Sequence, residues 1–440
     1  MFKYSHRDKV SKRYCYLLSS EDAFAKILIW AQQYPLFSYF NSNDYYSKNS
    51  SEYDYSRYKY LLGFSYNILS DNIITPSQLN NYIITKKDWL LGYLSYDLKN
   101  EFHNLDSKNT DNIGFRDMFF FVPDIVIYKE DKAKDIVLAS KEKLNLSAFE
   151  NEINTDSETS SSTVNGNINI QSRFTKDEYI RRVSKIKEHI QKGDIYELNF
   201  CQEFYNEQAN INPWETYKNL SRLSPTPFSC FLKHQNRFLI SSSPERYLKK
   251  QGRKIISQPI KGTAVKGKDK AENLRLANGL RDNPKERAEN IMIVDLVRND
   301  LSQTAKPATV RVEELCGIYP FNHLYQMIST VTSVLQDNKT SFDLIETSFP
   351  MGSMTGAPKV KAMELIDRYE NTKRGLYSGS VGYFTPDGDF DFNVVIRSIL
   401  YNEDNNYLSF TVGSAITIQS DAHLEYSECL LKAKAIIEIL

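Results

Sequence analysis

The chain has 440 residues, 41% apolar and 25% charged, and its 55 basic residues equal its 55 acidic ones. That composition can bury a large core, and its neutral balance argues against nucleic acid or a membrane surface as partner. No apolar run nears the ~20 residues of a membrane helix, no signal-like apolar stretch follows Met1-Phe2-Lys3, and five scattered cysteines lack a C-x-x-C pattern, so the expected location is the cytoplasm.

Residues 1–150 are rich in Tyr, Asn and Ser. Phe24, Ile27, Leu28 and Trp30 recur near helical spacing and predict a helix over 21–33, and the segments 89–96 and 119–128 predict strands of a mostly antiparallel sheet. Composition then shifts to Ser, Thr, Asn and Asp, so 151–172 reads as a polar linker before a second segment, 173–440. Thr175, Asp177 and Glu178 predict an N-cap and an acidic first turn; Val183, Ile186 and Ile190 form the apolar face of that helix and Gly193 its stop.

Strands are predicted over 195–204, 228–232 and 237–243, the last closing on Ser243-Pro244-Glu245-Arg246. A further strand over 254–257 leads into Pro259-Ile260-Lys261-Gly262-Thr263, where proline and glycine place Lys261 at the opening of a turn. Such a lysine is a solvated ammonium or, if partly buried, an amine nucleophile with a lowered pKa. Glu245, sixteen residues earlier, is a solvated strand end or, beside Lys261, a general acid whose pKa burial raises. The following loop has phosphate-loop spacing until Asp269 replaces the required hydroxyl, and reads as a charged loop.

Pro284 suits the first turn of a helix that carries Glu286 and Glu289 on one face, and a helix near the C-terminus carries Glu425 and Glu428 with Lys432 one turn further. Either glutamate pair alone reads as solvated surface; two such helices suit an oxygen-seeking cation such as magnesium. The six histidines show no metal spacing. The turn from Gly352 to Lys359, before a helix over 360–369, suits an anion or is simply tight. Strands are predicted over 379–383, 392–400 and 408–416. Arg397 is then a cation in an apolar strand, needing an anion if it points inward, and Gly413 could bring backbone amides near a carboxylate. Many antiparallel strands with helices outside predict an α+β sandwich.

These segments together resemble the chorismate-utilising enzyme family. The likeness rests on Ser243-Pro244-Glu245-Arg246, the P-I-K-G-T stretch at 259–263, the block from Glu289 to Leu301, the turn from Gly352 to Lys359, and the helix bearing Glu425, Glu428 and Lys432. It is looser over 1–145. The resemblance implies a large two-sheet antiparallel β sandwich with helices on the outside, with chorismate as substrate. It implies magnesium bound through Glu289 and Glu428, with Glu286 and Glu425 nearby. Arg397, Lys432 and the backbone at Gly413 would hold carboxylates, with Thr263, Gly262 and Tyr377 lining the site, Glu245 the acid and Lys261 the nucleophile.

Lysine at 261, and Gln326 where anthranilate synthases typically carry histidine, make the chain most similar to the aminodeoxychorismate synthase branch, which serves para-aminobenzoate and folate synthesis. Glu197 stands where isochorismate and salicylate synthases place a water-activating lysine, and where many relatives have glutamine. Cys201 and Cys230 lie in no glycine-rich elbow, so the resemblance implies a separate glutamine amidotransferase subunit as the ammonia source. The alternatives are an anthranilate synthase component I and a catalytically silent scaffold. Leu17-Leu18-Ser19-Ser20 loosely resembles the tryptophan-binding segment of some relatives.

Overall fold

Alternation at period two sorts side chains into two cores. In the strand Ile125–Glu130, Val126 joins one cluster while Ile125 and Ile127 join the other, and in Arg237–Ser243 the same split separates Leu239 from Phe238 and Ile240. The computed structural model describes residues 1–45, 55–68, 72–155 and 168–440.

Among these, thirteen strands form one sheet and ten a second. The larger sheet centres on Leu36–Asn41, Phe228–His234, Arg237–Ser243, Ser398–Asn402, Tyr407–Ile416 and Glu197–Asn206, paired antiparallel. The smaller runs from Ile260–Val265 through Leu324–Val334, Lys254–Gln258, Arg246–Gln251, Phe390–Asn393 and Ser380–Phe384 to Leu90–Leu94, also antiparallel. One core includes Leu239 and Leu400 of the larger sheet with Leu248, Ile255 and Phe392 of the smaller. In the other, Phe24, Val183, Leu365 and Cys429 bring the helices Glu21–Trp30, Lys176–Lys192, Lys359–Tyr369 and Ala422–Ile437 against the larger sheet. The helices Lys270–Asp282 and Pro284–Ser302 pack on the strands Ile260–Val265 and Leu324–Val334. The expected α+β two-sheet sandwich is the observed architecture. No described helix is long and apolar enough to cross a membrane.

Local signals hold where they are strongest. Thr175 and Glu178 form a reciprocal capping box, and Gly193 ends the helix at φ 82°. Leu17-Leu18-Ser19-Ser20 is a strand end followed by a helix cap, with Ser20 accepting from the Ala23 amide.

Other expectations need correction. Residues 1–150 and 173–440 share both sheets, because Leu36–Asn41 pairs with Phe228–His234 and Leu90–Leu94 with Ser380–Phe384. The segment 151–172 begins inside the helix Leu146–Thr155 and ends on the strand Gln171–Ser172, and its residues 156–167 lie outside the described residues. Lys261 stands in the strand Ile260–Val265 rather than in a turn; a register shift between Ile260 and Thr263 and Gly262 at φ 101° make it a bulge. The predicted strand over 392–400 is two strands in different sheets, Phe390–Asn393 and Ser398–Asn402. Residues 394–397 cross between them, so Arg397 is not a strand residue and sits at φ 51°.

One buried cation ties the crossing region together. The Arg374 guanidinium is paired twice to Glu370, donates to Asn199 O at 2.7 Å and Met354 O at 2.6 Å, and lies 4.6 Å over the Tyr96 ring. Glu370 in turn accepts from the Cys201 amide. Removing one partner of a buried pair strands the other charge, so Glu370→Ala should lower unfolding free energy by about 3–5 kcal/mol in urea titrations.

Candidate active site

Two chain crossings deliver the first pair of side chains. Pro244 and Glu245 pass from the larger sheet to the smaller, residues 394–397 pass back, and Val394 N donates to Glu245 O at 3.0 Å. Glu245 is 3% exposed and accepts from Ser353 Oγ at 2.6 Å. Burial pushes its carboxyl up to about 7, against the pull of Ser353, the Ile260 amide, Lys261 and Arg397. Burial lowers Arg397 to about 10, with Glu245 acting oppositely. Its guanidinium has no hydrogen bond or ion pair among the described residues, and a non-glycine residue at positive φ is strained. This arrangement suits an incoming anion.

Lys261 reaches from the smaller sheet to the larger. Its Nζ pairs with Glu197 Oε1 at 3.0 Å, and Glu197 is 2% exposed. Burial works to lower Lys261, but Glu197, Glu289 and Glu428 outweigh it and hold the amine above the ordinary lysine value. Asn290, one residue after Glu289, fixes the bulge by donating to Lys261 O at 3.0 Å and Met327 O at 3.2 Å. The positive φ favours glycine at 262, and a Cβ there would stand a tight 3.1 Å from Glu286 Oε2.

Glu286, Glu289 and Glu428 share one electrostatic neighbourhood. Burial and the repulsion of Glu197 and Glu286 push Glu289 up to about 7, against Lys261 and Lys285, while burial and Glu428 raise Glu286. Burial favours a raised Glu428 also, but Lys432, Lys261 and Lys285 prevail and lower it. Lys432 pairs with Glu428 at 2.8 Å and donates to Gly413 O at 2.9 Å. Gly413 lies opposite Cys201, whose Sγ would be 2.3 Å from an added Cβ, and Tyr377 OH stands 3.7 Å from the same sulfur. Glu425 is buried one turn before Glu428, with its charge felt by Tyr179. Thr263 is exposed opposite Gln326 in the ladder.

Several buried oxygens of the site have no hydrogen-bond partner in the protein. They include Glu197 Oε2, Glu289 Oε1 and Gln326 Oε1. Among the described residues no three His, Cys, Asp or Glu side chains form a ready metal cluster. The donors nevertheless fit magnesium in kind: they are carboxylate oxygens only, Glu197 and Glu286 repel Glu289, and Glu289 Oε1 has no hydrogen bond, only the Lys285 ammonium at 3.7 Å. The turn from Gly352 to Lys359 holds two carboxylates of the protein. Ser353 binds Glu245, and Lys359 pairs with Asp300 at 2.7 Å. Sequence reasoning missed Ser353, Asn290, Arg374 and Asp300 as individual contributors, since nothing local separates them from ordinary polar residues.

The family model described as chorismate binding enzyme matches residues 45–438. The chain is 33% identical over 361 residues to aminodeoxychorismate synthase component 1 of Bacillus subtilis (strain 168), covering 78% of this chain and 75% of that one. It is 31% identical over 373 residues to anthranilate synthase component 1 of Aquifex aeolicus, covering 80% and 74%. The crystal structure of anthranilate synthase component I from Streptococcus pneumoniae superposes with a TM-score of 0.70 at 26% identity, over 79% of this chain and 80% of that one. The menaquinone-specific isochorismate synthase of Escherichia coli shares the fold, with a TM-score of 0.76 at 16% identity over 97% and 94%. The chain therefore belongs to the chorismate binding enzyme family, as a chorismate-utilising enzyme of the anthranilate synthase component I and aminodeoxychorismate synthase group.

Proposed function

We propose that the chain is the large subunit of an aminodeoxychorismate synthase, converting chorismate and ammonia into 4-amino-4-deoxychorismate for para-aminobenzoate and folate synthesis. The observation that carries this reading is Lys261, a partly buried amine paired with Glu197, with the Gln326 amide oxygen lacking a hydrogen bond nearby in the same sheet. Arg397 and Lys432 supply cationic charge for the substrate carboxylates, with Gly262, Thr263, Tyr377 and Gly413 in the surrounding walls. Glu286, Glu289, Glu425 and Glu428 are the carboxylates that would hold magnesium. Once bound, that ion would neutralise carboxylate charge on the substrate.

Glu245 gives its proton to the departing 4-hydroxyl as Lys261 adds at C2 of the ring. Ammonia then adds at C4 and the lysine leaves, with the enolpyruvyl group retained. Lys261 must first lose the proton its carboxylate neighbours stabilise, and Glu197 at 3.0 Å is placed to take it. Ammonia comes from a glutamine amidotransferase subunit in a heterodimer.

With chorismate, magnesium and ammonia, mass analysis should find 4-amino-4-deoxychorismate; anthranilate with pyruvate would overturn the reading in favour of anthranilate synthase, and no turnover would favour a silent scaffold. Lys261→Ala should abolish most product formation, and unchanged rate and product would remove its assigned role. Glu245→Gln should cost about 10²–10⁴-fold in kcat. Because the acid must be protonated and its pKa is about 7, wild-type kcat should fall as pH rises through that value, and the variant should lose this limb. Chelation should stop turnover and magnesium restore it, whereas Glu289→Gln should respond poorly to the added metal.

A further inference from the structure

Behind Glu245 lies a small cavity of about 20 Å³. Its wall combines Glu245 and Ser353 with Asp300, Ser348 and Tyr247, and neither Lys261 nor Arg397 contributes. The rest of the lining includes Arg246, whose guanidinium is paired with Asp391 at 2.9 Å, and the apolar Val297, Leu301 and Met351. A space of this size takes one water, which needs two to four polar partners, and the polar residues of this wall include Glu245, Ser353, Asp300, Ser348 and Tyr247.

Asp300 connects the cavity to the outside. It is 7% exposed and accepts from Lys359 Nζ at 2.7 Å; Lys359 also donates to Ser348 O at 2.9 Å, and its side chain is 13% exposed. Tyr247 OH is bonded to Ser348 Oγ at 2.7 Å, and Ser348 donates to Leu344 O. The wall is thus fixed on three sides by the helices Pro284–Ser302, Ser341–Ser348 and Lys359–Tyr369.

We propose that this cavity holds a water linking Glu245 to the Asp300–Lys359 pair, so that Asp300 returns a proton to the acid after each turnover. This rests on the reading of Glu245 as the general acid. The O–H bond of Glu245 breaks as the leaving oxygen gains the proton. The water then protonates the Glu245 carboxylate while taking a proton from the Asp300 carboxyl, which is reprotonated from solvent by way of Lys359. The proton released when ammonia becomes the ring amine returns to solvent, so none accumulates. Burial pushes Asp300 up to about 6 against the pull of Lys359, close to the value of about 7 for Glu245, which also faces Lys261 and Arg397. Two acids so matched exchange a proton with little cost.

The full-length protein is assayed with chorismate, magnesium and ammonia across pH, beside Asp300→Asn, Tyr247→Phe and Glu245→Gln. Asp300→Asn should lower kcat by about tenfold or more, at the modest end of proton-transfer effects, with KM for chorismate nearly unchanged and the high-pH limb displaced. Tyr247→Phe, which keeps the ring packing, should shift the same limb less. A folded Asp300→Asn with wild-type kcat and pH profile, or with a loss uniform across pH, overturns the relay. Should Glu245→Gln remain fully active, the acid itself is wrong and the relay falls with it. A high-resolution crystal structure of the wild type tests the water without any variant: density bridging Glu245 and Asp300 supports the proposal, and an empty cavity defeats it.

Discussion

Val394 N donates to Glu245 O at 3.0 Å, and Ser243 Oγ donates to Val394 O at 2.6 Å. These two bonds lock side by side the places where the chain leaves one sheet for the other. Backbone groups at such crossings have left their ladders and must find partners elsewhere. Val395 N and O are met by Gly379 O and Ser378 N, and Arg397 O by Ser242 N. The crossings are therefore as fixed as the strands. Glu245 and Arg397, 152 residues apart in sequence, are delivered to one place by backbone pairing before any ligand arrives.

Charge divides the site into two zones. Around Lys261 the charges are mainly carboxylates, Glu197, Glu286, Glu289 and Glu428, and burial, with repulsion among them adding to it, raises Glu286 and Glu289. Around Glu245 the facing charges are cations, Lys261 and Arg397. An enzyme that binds a dicarboxylate gains from such asymmetry, because a carboxylate is drawn to the unpaired guanidinium while the acidic zone accepts only cations or neutral groups. Orphaned oxygens on Glu197, Glu289 and Gln326 fall in or beside the acidic zone. The Lys285 ammonium stands 3.7 Å from Glu289 Oε1, beyond hydrogen-bond reach, so each of the three oxygens keeps a free acceptor position.

What the sequence announces is what depends on neighbours in sequence. Thr175 with Glu178 and Gly193 read correctly because caps are local. The P-I-K-G-T stretch and the glutamate pairs stand out only in combination, since each alone reads as ordinary surface. The crossing at 394–397 was hidden because Val394 and Val395 are buried, and a buried crossing needs the same side chains as a buried strand. Arg374 was hidden for a different reason. It follows Lys373 in a polar stretch that resembles any exposed loop, and its partner Asn199 is 175 residues away. Continuity of both sheets across 151–172 was equally invisible, since a polar segment marks a long connection without saying which sheets its flanks join.

The remaining tension lies in Lys261 itself. Burial alone would make it a poised amine, yet Glu197, Glu289 and Glu428 reverse that effect and keep it an ammonium. An amine held as an ammonium in this way is guarded against adventitious electrophiles; in the proposed role of nucleophile, it would become reactive only when the surrounding negative charge is compensated or its proton is taken. Glutamate at 197 is central to both routes. A glutamine there could still accept a hydrogen bond from Nζ, but it would neither stabilise the ammonium by charge nor act as a base of useful strength. The acid–base character of this site is therefore set as much by Glu197, on the first residue of the strand Glu197–Asn206 in the larger sheet, as by the lysine it faces from across the fold.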